Sequence, residues 1–236
     1  MIRCKIADLT VDIPEAGGMA PRCRAYLAEG SESADIVISP EDYEDAAVYG
    51  FDEELTAYME SGLLFYMNLL RFGGLMFHAS AVAYEGKAYL FSGPCGVGKS
   101  THTGLWQQCF GEKAQIINDD KPALRLIDGH WFAYGTPWSG KSGINQNVKV
   151  PVGGICFLKQ GEDNRIRRLT APEAVPLIFM QTNYPLKKKE NMHRLLSAIE
   201  ALVRQIPIYE LENRPEQAAA LLSMETMRAG AANSGL

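Results

Sequence analysis

Several things are missing from this chain, and each absence removes a class of function. It has no run of about twenty apolar residues, so no membrane span is expected. It does not open with the basic-then-apolar pattern of a secretory signal. Basic charge is not in excess. Lys and Arg number 23 against 28 Asp and Glu, a formal net charge of −5. That balance argues against a nucleic-acid partner or an anionic membrane surface. The run Lys187-Lys188-Lys189 is too short to change it. Cysteine is sparse: Cys4, Cys23, Cys95, Cys109 and Cys156 are scattered and form no C-x-x-C, which argues against a zinc site or a disulfide framework. No internal repeat is visible. The expectation is a soluble, cytoplasmic protein with reduced thiols.

What is present is ordinary globular composition. The 236 residues are 47% hydrophobic and 22% charged, enough for one large domain. Residues 1–50 read as a small β-rich segment packed on the main body, with strand patterns over residues 4–13 and 34–39 and glycine punctuation at Gly17-Gly18 and Gly30. Residues 52–70 read as a helix capped by Asp52 and stopped by Gly73-Gly74. Strands are expected over residues 75–84, 87–91, 114–118, 123–127, 131–134 and 152–159. Helices are expected over 171–181, 189–204 and 215–228, with Pro185 between the first two. The body therefore spans residues 51–228, and 229–236 reads as a frayed tail. The class is α/β with a mixed sheet.

One motif carries the chemistry. Gly93-Pro94-Cys95-Gly96-Val97-Gly98-Lys99-Ser100 fits the phosphate-loop pattern G-x-x-x-x-G-K-[ST] at every fixed position. Glycines let successive backbone N–H groups turn inward onto phosphate oxygens. Lys99 adds charge near the β- and γ-phosphates, and the Ser100 hydroxyl suits Mg²⁺. Thr101 follows in the first turn of a helix whose positive end faces the same anion. Strand, glycine loop and helix come in the required order, so residues 93–101 are the candidate nucleotide site.

Binding alone transfers nothing. Phosphoryl transfer also needs a group to hold the metal and one to accept the hydroxyl proton. Asp119-Asp120 ends a strand about twenty residues beyond Lys99, where strand ends converge beside the loop. One carboxylate would hold Mg²⁺ and the other would serve as base. The bland alternative is a polar strand end before Pro122. The long loop over residues 135–149 offers Ser139 and Lys141 as substrate contacts, with a simple surface turn as the alternative.

Taken together, His78-Ala79-Ser80, the strand pair, the phosphate loop and Asp119-Asp120 resemble the catalytic half of HPr kinase/phosphorylase over about residues 75–160. That family shares its nucleotide-binding core with phosphoenolpyruvate carboxykinase. The resemblance implies that Lys99 holds the β/γ-phosphates, Ser100 and Asp120 the Mg²⁺, and that Asp119 is the base. It implies that His78 lies beside Asp119, and it implies a homo-oligomer. This chain departs from the family at Tyr134-Gly135-Thr136-Pro137-Trp138-Ser139-Gly140-Lys141, where a glycine-rich segment with an arginine is usual. It is therefore similar to a short, divergent relative. The expected activity is ATP- and Mg²⁺-dependent transfer of a phosphoryl group, with ADP as an alternative nucleotide, to a serine-type hydroxyl of a small molecule or peptide. A non-catalytic nucleotide sensor that gates a partner stays open beside it.

Overall fold

The computed structural model describes residues 1–15, 18–30, 33–43, 50, 52–182 and 189–233. The expected breaks at Gly17 and Pro185, the residues Lys187 and Lys188, and the last three residues lie outside that set.

The N-terminal strand pattern folds as a hairpin. β1 (Ile2–Ile6) pairs antiparallel with β2 (Leu9–Ile13), Ile6 opposite Leu9. One strand was expected over residues 4–13. The chain reverses instead because Ala7 and Asp8 adopt φ of 51° and 62°, the backbone of a two-residue hairpin turn. β3 (Ile36–Val37) adds parallel to β2, completing a three-stranded sheet. A short helix, α1 (Met19–Cys23), packs on it. Ile6, Val11, Met19 and Tyr26 of this layer share one buried cluster with Tyr58, Phe65 and Tyr66 of α2 (Glu53–Leu69). Asp52 caps α2, its Oδ1 accepting from Leu55 N at 2.8 Å.

The main sheet is mixed and curled. Its order is β4 (Gly74–Met76), β8 (Ala123–Ile127), β9 (His130–Tyr134), β10 (Lys149–Gln160), β6 (Lys87–Ser92), β5 (Ala79–Tyr84), β7 (Ala114–Asp120). β12 (Ile208–Asn213) lies parallel to β10, and β11 (Arg165–Arg168) pairs with β12. β10 belongs to both ends of the curl: Lys149, Val150 and Pro151 pair with β9, and the register slips between Val152 and Gly154 as the strand joins β6. One face is covered by α3 (Lys99–Phe110) and α6 (Gln217–Asn233), burying Tyr89, Phe91, Trp106 and Met227. The other is covered by α4 (Ala171–Thr182) and α5 (Lys189–Gln205), burying Leu90, Ile155, Ile178 and Ile199.

The class expected, mixed α/β with a small strand-rich N-terminal portion, is the one observed. Further details differ besides the N-terminal hairpin. The strand expected over residues 75–84 is two strands in different parts of the sheet, because β4 pairs with β8 while β5 pairs with β6 and β7. Phe77 and His78 form the joint. β7 runs two residues further, through the acidic doublet. α6 runs to Asn233, with Ala231 buried, so the helix enters the segment read as a tail. Among the described residues no helix is long and apolar enough to cross a membrane.

Candidate phosphate-binding and acidic site

Topology explains why distant residues meet. β5 is antiparallel to both β6 and β7. The start of β5 therefore lies beside the ends of the other two. His78 precedes β5, Gly93 follows β6, and Asp119-Asp120 closes β7. Three separate stretches of sequence reach one edge of the sheet.

The loop after β6 has the shape of an anion cradle. Gly96 and Gly98 take φ of 80° and 108°, values a side chain resists, and a Cβ placed on either would meet nothing within 4 Å. The space over the loop is open. Val97 N donates to Pro94 O at 3.2 Å, which tightens the turn. Gly98 precedes α3 without a side-chain cap, and Ser100 and Thr101 are exposed at the helix start. Among the described residues the first-turn N–H groups have no side-chain acceptor, as an anion site requires. Pro94 and Cys95 are exposed at the tip. Lys99 Nζ donates to Gly93 O at 3.1 Å and Pro94 O at 3.2 Å, folded back over its own loop. Burial lowers its pKa, and the charges of Cys95, Asp120 and Asp119 oppose that shift.

The acidic doublet divides between the two faces of the sheet. Asp119 sits opposite Ser80, whose Oγ lies 2.8 Å from Thr103 Oγ1 on α3. Opposed residues of an antiparallel pair share a face, so Asp119 belongs to the side of the phosphate-loop helix. Its Oδ1 is buried and, among the described residues, has no hydrogen-bond partner. Asp120 is engaged at both oxygens. Lys121 Nζ is 2.6 Å from Oδ2, and His78 Nε2 is 3.4 Å from Oδ1. Burial pushes the Asp120 carboxyl up, but the hydrogen bond from His78 and the charge and hydrogen bond of Lys121 outweigh it, leaving a pKa of about 2. His78 thus contacts Asp120, not Asp119 as the resemblance implied. Strand alternation is the reason, since it turns the second carboxylate toward α4. There Gln181 receives the His78 backbone N–H on its carbonyl at 2.9 Å and lies 3.0 Å from Nδ1 through Oε1. Ser92 Oγ donates to His78 O at 2.7 Å.

A buried polar network fixes the end of β7. Asn118 Oδ1 accepts from the backbone N–H groups of Asp120 (3.1 Å) and Lys121 (2.8 Å). Its Nδ2 donates to Thr136 O at 3.0 Å. Tyr66 OH donates to Lys121 O and lies 2.9 Å from Thr136 Oγ1. Asn118 and Thr136 are fully buried, so each of these bonds replaces one that water no longer supplies. None of Tyr66, Asn118, Thr136, Lys121 or Gln181 is marked as a site residue by the sequence. Only Lys121, next to the doublet, carried any local signal.

The loop over residues 135–148 is tied down along β7. Asp119 N donates to Ile144 O (3.1 Å) and Gln146 N to Ile117 O (2.9 Å). Trp138 is buried, stacked on Phe65 at 4.9 Å, and its Nε1 donates to Ser61 Oγ at 3.2 Å. Ser139, read from sequence as a substrate contact, is fully buried, and its Oγ accepts from Asn145 Nδ2 at 2.9 Å. It shapes the loop from inside. Lys141 is exposed. Gly140, at φ 66°, passes so close to Asp120 that a Cβ there would lie 2.9 Å from the Asp120 Cβ. Arg165 and Arg167 of β11 pair with Asp163, Glu173 and Glu210.

Beside Asp120 a cleft of about 390 Å³ opens, lined by residues that include Arg22, Glu54, Tyr58, Lys121 and Lys141. Among the described residues no cluster of three or more His, Cys, Asp or Glu could hold a metal by itself. Mg²⁺ in nucleotide sites commonly uses one or two carboxylates with the phosphates; the carboxylates that close β7 are Asp119 and Asp120.

These features define a mixed α/β protein with a phosphate-loop motif joining strand to helix beside an acidic strand end. The chain belongs to the family of SynChlorMet cassette protein ScmC, whose model matches residues 50–215. The family is thus ScmC and not HPr kinase/phosphorylase itself, in keeping with the departure over residues 134–141. Among solved structures, the HPr(Ser) kinase/phosphatase from Coxiella burnetii is similar over 68% of this chain and 92% of its own, at 13% identity and a TM-score of 0.39. No curated protein sequence matches.

Proposed function

We propose that the chain is a cytoplasmic ATP- and Mg²⁺-dependent kinase that phosphorylates a hydroxyl, of serine type, on a small molecule or peptide. The observation that carries this reading is the convergence of the phosphate loop, His78 and the acidic doublet at one sheet edge. Lys99 and the exposed N–H groups of the first turn of α3 suit the donor phosphates. When bound, Mg²⁺ would neutralise charge on the transferring group. Ser100, exposed at the helix start, and Asp120, kept anionic down to a pH of about 2, have the chemistry to hold it. Asp119 is the candidate proton acceptor because its Oδ1 has no partner among the described residues. His78, held by Gln181, orients Asp120. The motifs' resemblance to HPr kinase/phosphorylase supports the roles given to Lys99, Ser100, Asp119 and Asp120, while the role of His78 rests on its contact with Asp120.

A nucleotide sensor that binds without transferring is the rival. One observation favours it: both oxygens of Asp120 already have partners. Radiolabelled ATP with a panel of hydroxylated amino acids and serine peptides separates the two. The kinase reading expects label on an acceptor, lost in Asp119→Asn while nucleotide affinity persists. If Asp119→Asn instead loses the Mg²⁺-dependent part of nucleotide affinity, the two aspartates have exchanged roles. No labelled acceptor alongside tight nucleotide binding supports the sensor.

A further inference from the structure

The cleft beside Asp120 has a charge pattern that the phosphate site does not use. Of its ionic groups, Lys121 is committed to Asp120 at 2.6 Å. Asp52, also in its wall, caps α2. Three remain. Lys141 is exposed at the loop tip and, among the described residues, has no carboxylate partner. Arg22 lies over the Tyr58 ring at 4.5 Å, a stacking that leaves the N–H edge of its guanidinium free to donate. Glu54, exposed in the first turn of α2, has no cation partner among the described residues. The cleft wall is itself braced, since Gly140 N donates to Tyr58 OH at 2.8 Å and Gly140 packs on Asp120.

Among the described residues, two cations without a carboxylate partner and one carboxylate without a cation partner complement a ligand that carries both signs of charge. The volume, about 390 Å³, falls in the range of small-molecule sites, about 300–1,000 Å³. We propose that this cleft is the acceptor site and that it takes a small hydroxy-amino acid with both ends charged, its carboxylate received by Lys141 and Arg22 and its ammonium by Glu54. This rests on the kinase reading. Bound so, the ligand lies against Asp120, whose charge also acts on Lys99 of the phosphate loop. The step forms an O–P bond from the ligand's hydroxyl to the γ-phosphoryl group and breaks the bond to ADP. The hydroxyl proton goes to Asp119. A residue inside a peptide has neither free end, so the same contacts select against it.

The test is a calorimetric titration of the full chain, saturated with Mg²⁺ and a non-hydrolysable ATP analogue. The ligands are L-serine, L-serinamide, N-acetyl-L-serine and a serine peptide capped at both ends. L-serine is expected to bind. Removing its carboxylate or its ammonium should each weaken binding about tenfold or more, the loss of a charge-assisted contact. Lys141→Ala should weaken L-serine and narrow its advantage over L-serinamide, and Glu54→Gln should narrow its advantage over N-acetyl-L-serine. Equal affinity for all four ligands, a preference for the capped peptide, or no heat with any of them while the analogue binds would overturn the inference and leave the kinase reading intact. Failure of the analogue itself to bind would remove the kinase reading and this inference with it.

Discussion

Asp120→Asn removes a charge while nearly keeping a shape, and its cost has a defined pH profile. The carboxyl is buried enough to resist ionisation, yet His78 and Lys121 bring its pKa to about 2 from an ordinary 3.8. A carboxyl depressed on folding adds stability above its unfolded pKa and loses it as pH falls through the folded value. At about 1.4 kcal/mol per pH unit, this depression is worth about 2 kcal/mol at pH 7. About half of that should remain at pH 3, and almost none below pH 2. Urea unfolding of the wild type and Asp120→Asn, at pH steps from 7 down to 3, reads the difference directly. The wild type should lead by about 2 kcal/mol at neutrality, with the lead shrinking only below about pH 5. A lead that stays constant over that range, or is absent at pH 7, would refute the claim that His78 and Lys121 hold Asp120 ionised.

Further outcomes follow from the same geometry. Lys99→Ala should lower ATP affinity by about tenfold or more in a fluorescence titration, through loss of a charge-assisted contact, with an unchanged melting temperature. Gly140→Ala should destabilise the fold by about 1–3 kcal/mol, since it adds strain at φ 66° and a Cβ 2.9 Å from that of Asp120. An unchanged denaturation midpoint would show that the loop relaxes. Asn118→Leu leaves part-buried N–H groups of Asp120 and Lys121 and the buried carbonyl of Thr136 without their partner, so a loss of about 2–4 kcal/mol is expected, measured by thermal unfolding.

The legible parts of this molecule were those with fixed local spacing. The phosphate loop announces itself because the cradle needs its glycines, lysine and hydroxyl within eight consecutive positions. The acidic doublet was legible for the same reason, as a polar end to an apolar strand. What local pattern could not show was which oxygen each neighbour would reach. His78 meets Asp120 because of the antiparallel register of β5 and β7, and it meets Gln181 across 103 positions of sequence. Tyr66, Asn118 and Thr136 come together only through the folding of α2 and the loop after β9 onto β7. The hairpin at Ala7-Asp8 was missed because Ala7 is an unusual choice for positive φ and the pair carries no glycine. Ser139 reads as a surface residue in a glycine-rich loop, but the burial of Trp138 beside it draws the hydroxyl inward.

Calorimetric titration of ATP into the wild type, with and without Mg²⁺, is the most direct measurement of the central claim. The account predicts saturable binding that strengthens with Mg²⁺ and is lost in Lys99→Ala. Absence of heat under both conditions, or equal binding by wild type and Lys99→Ala, would contradict it.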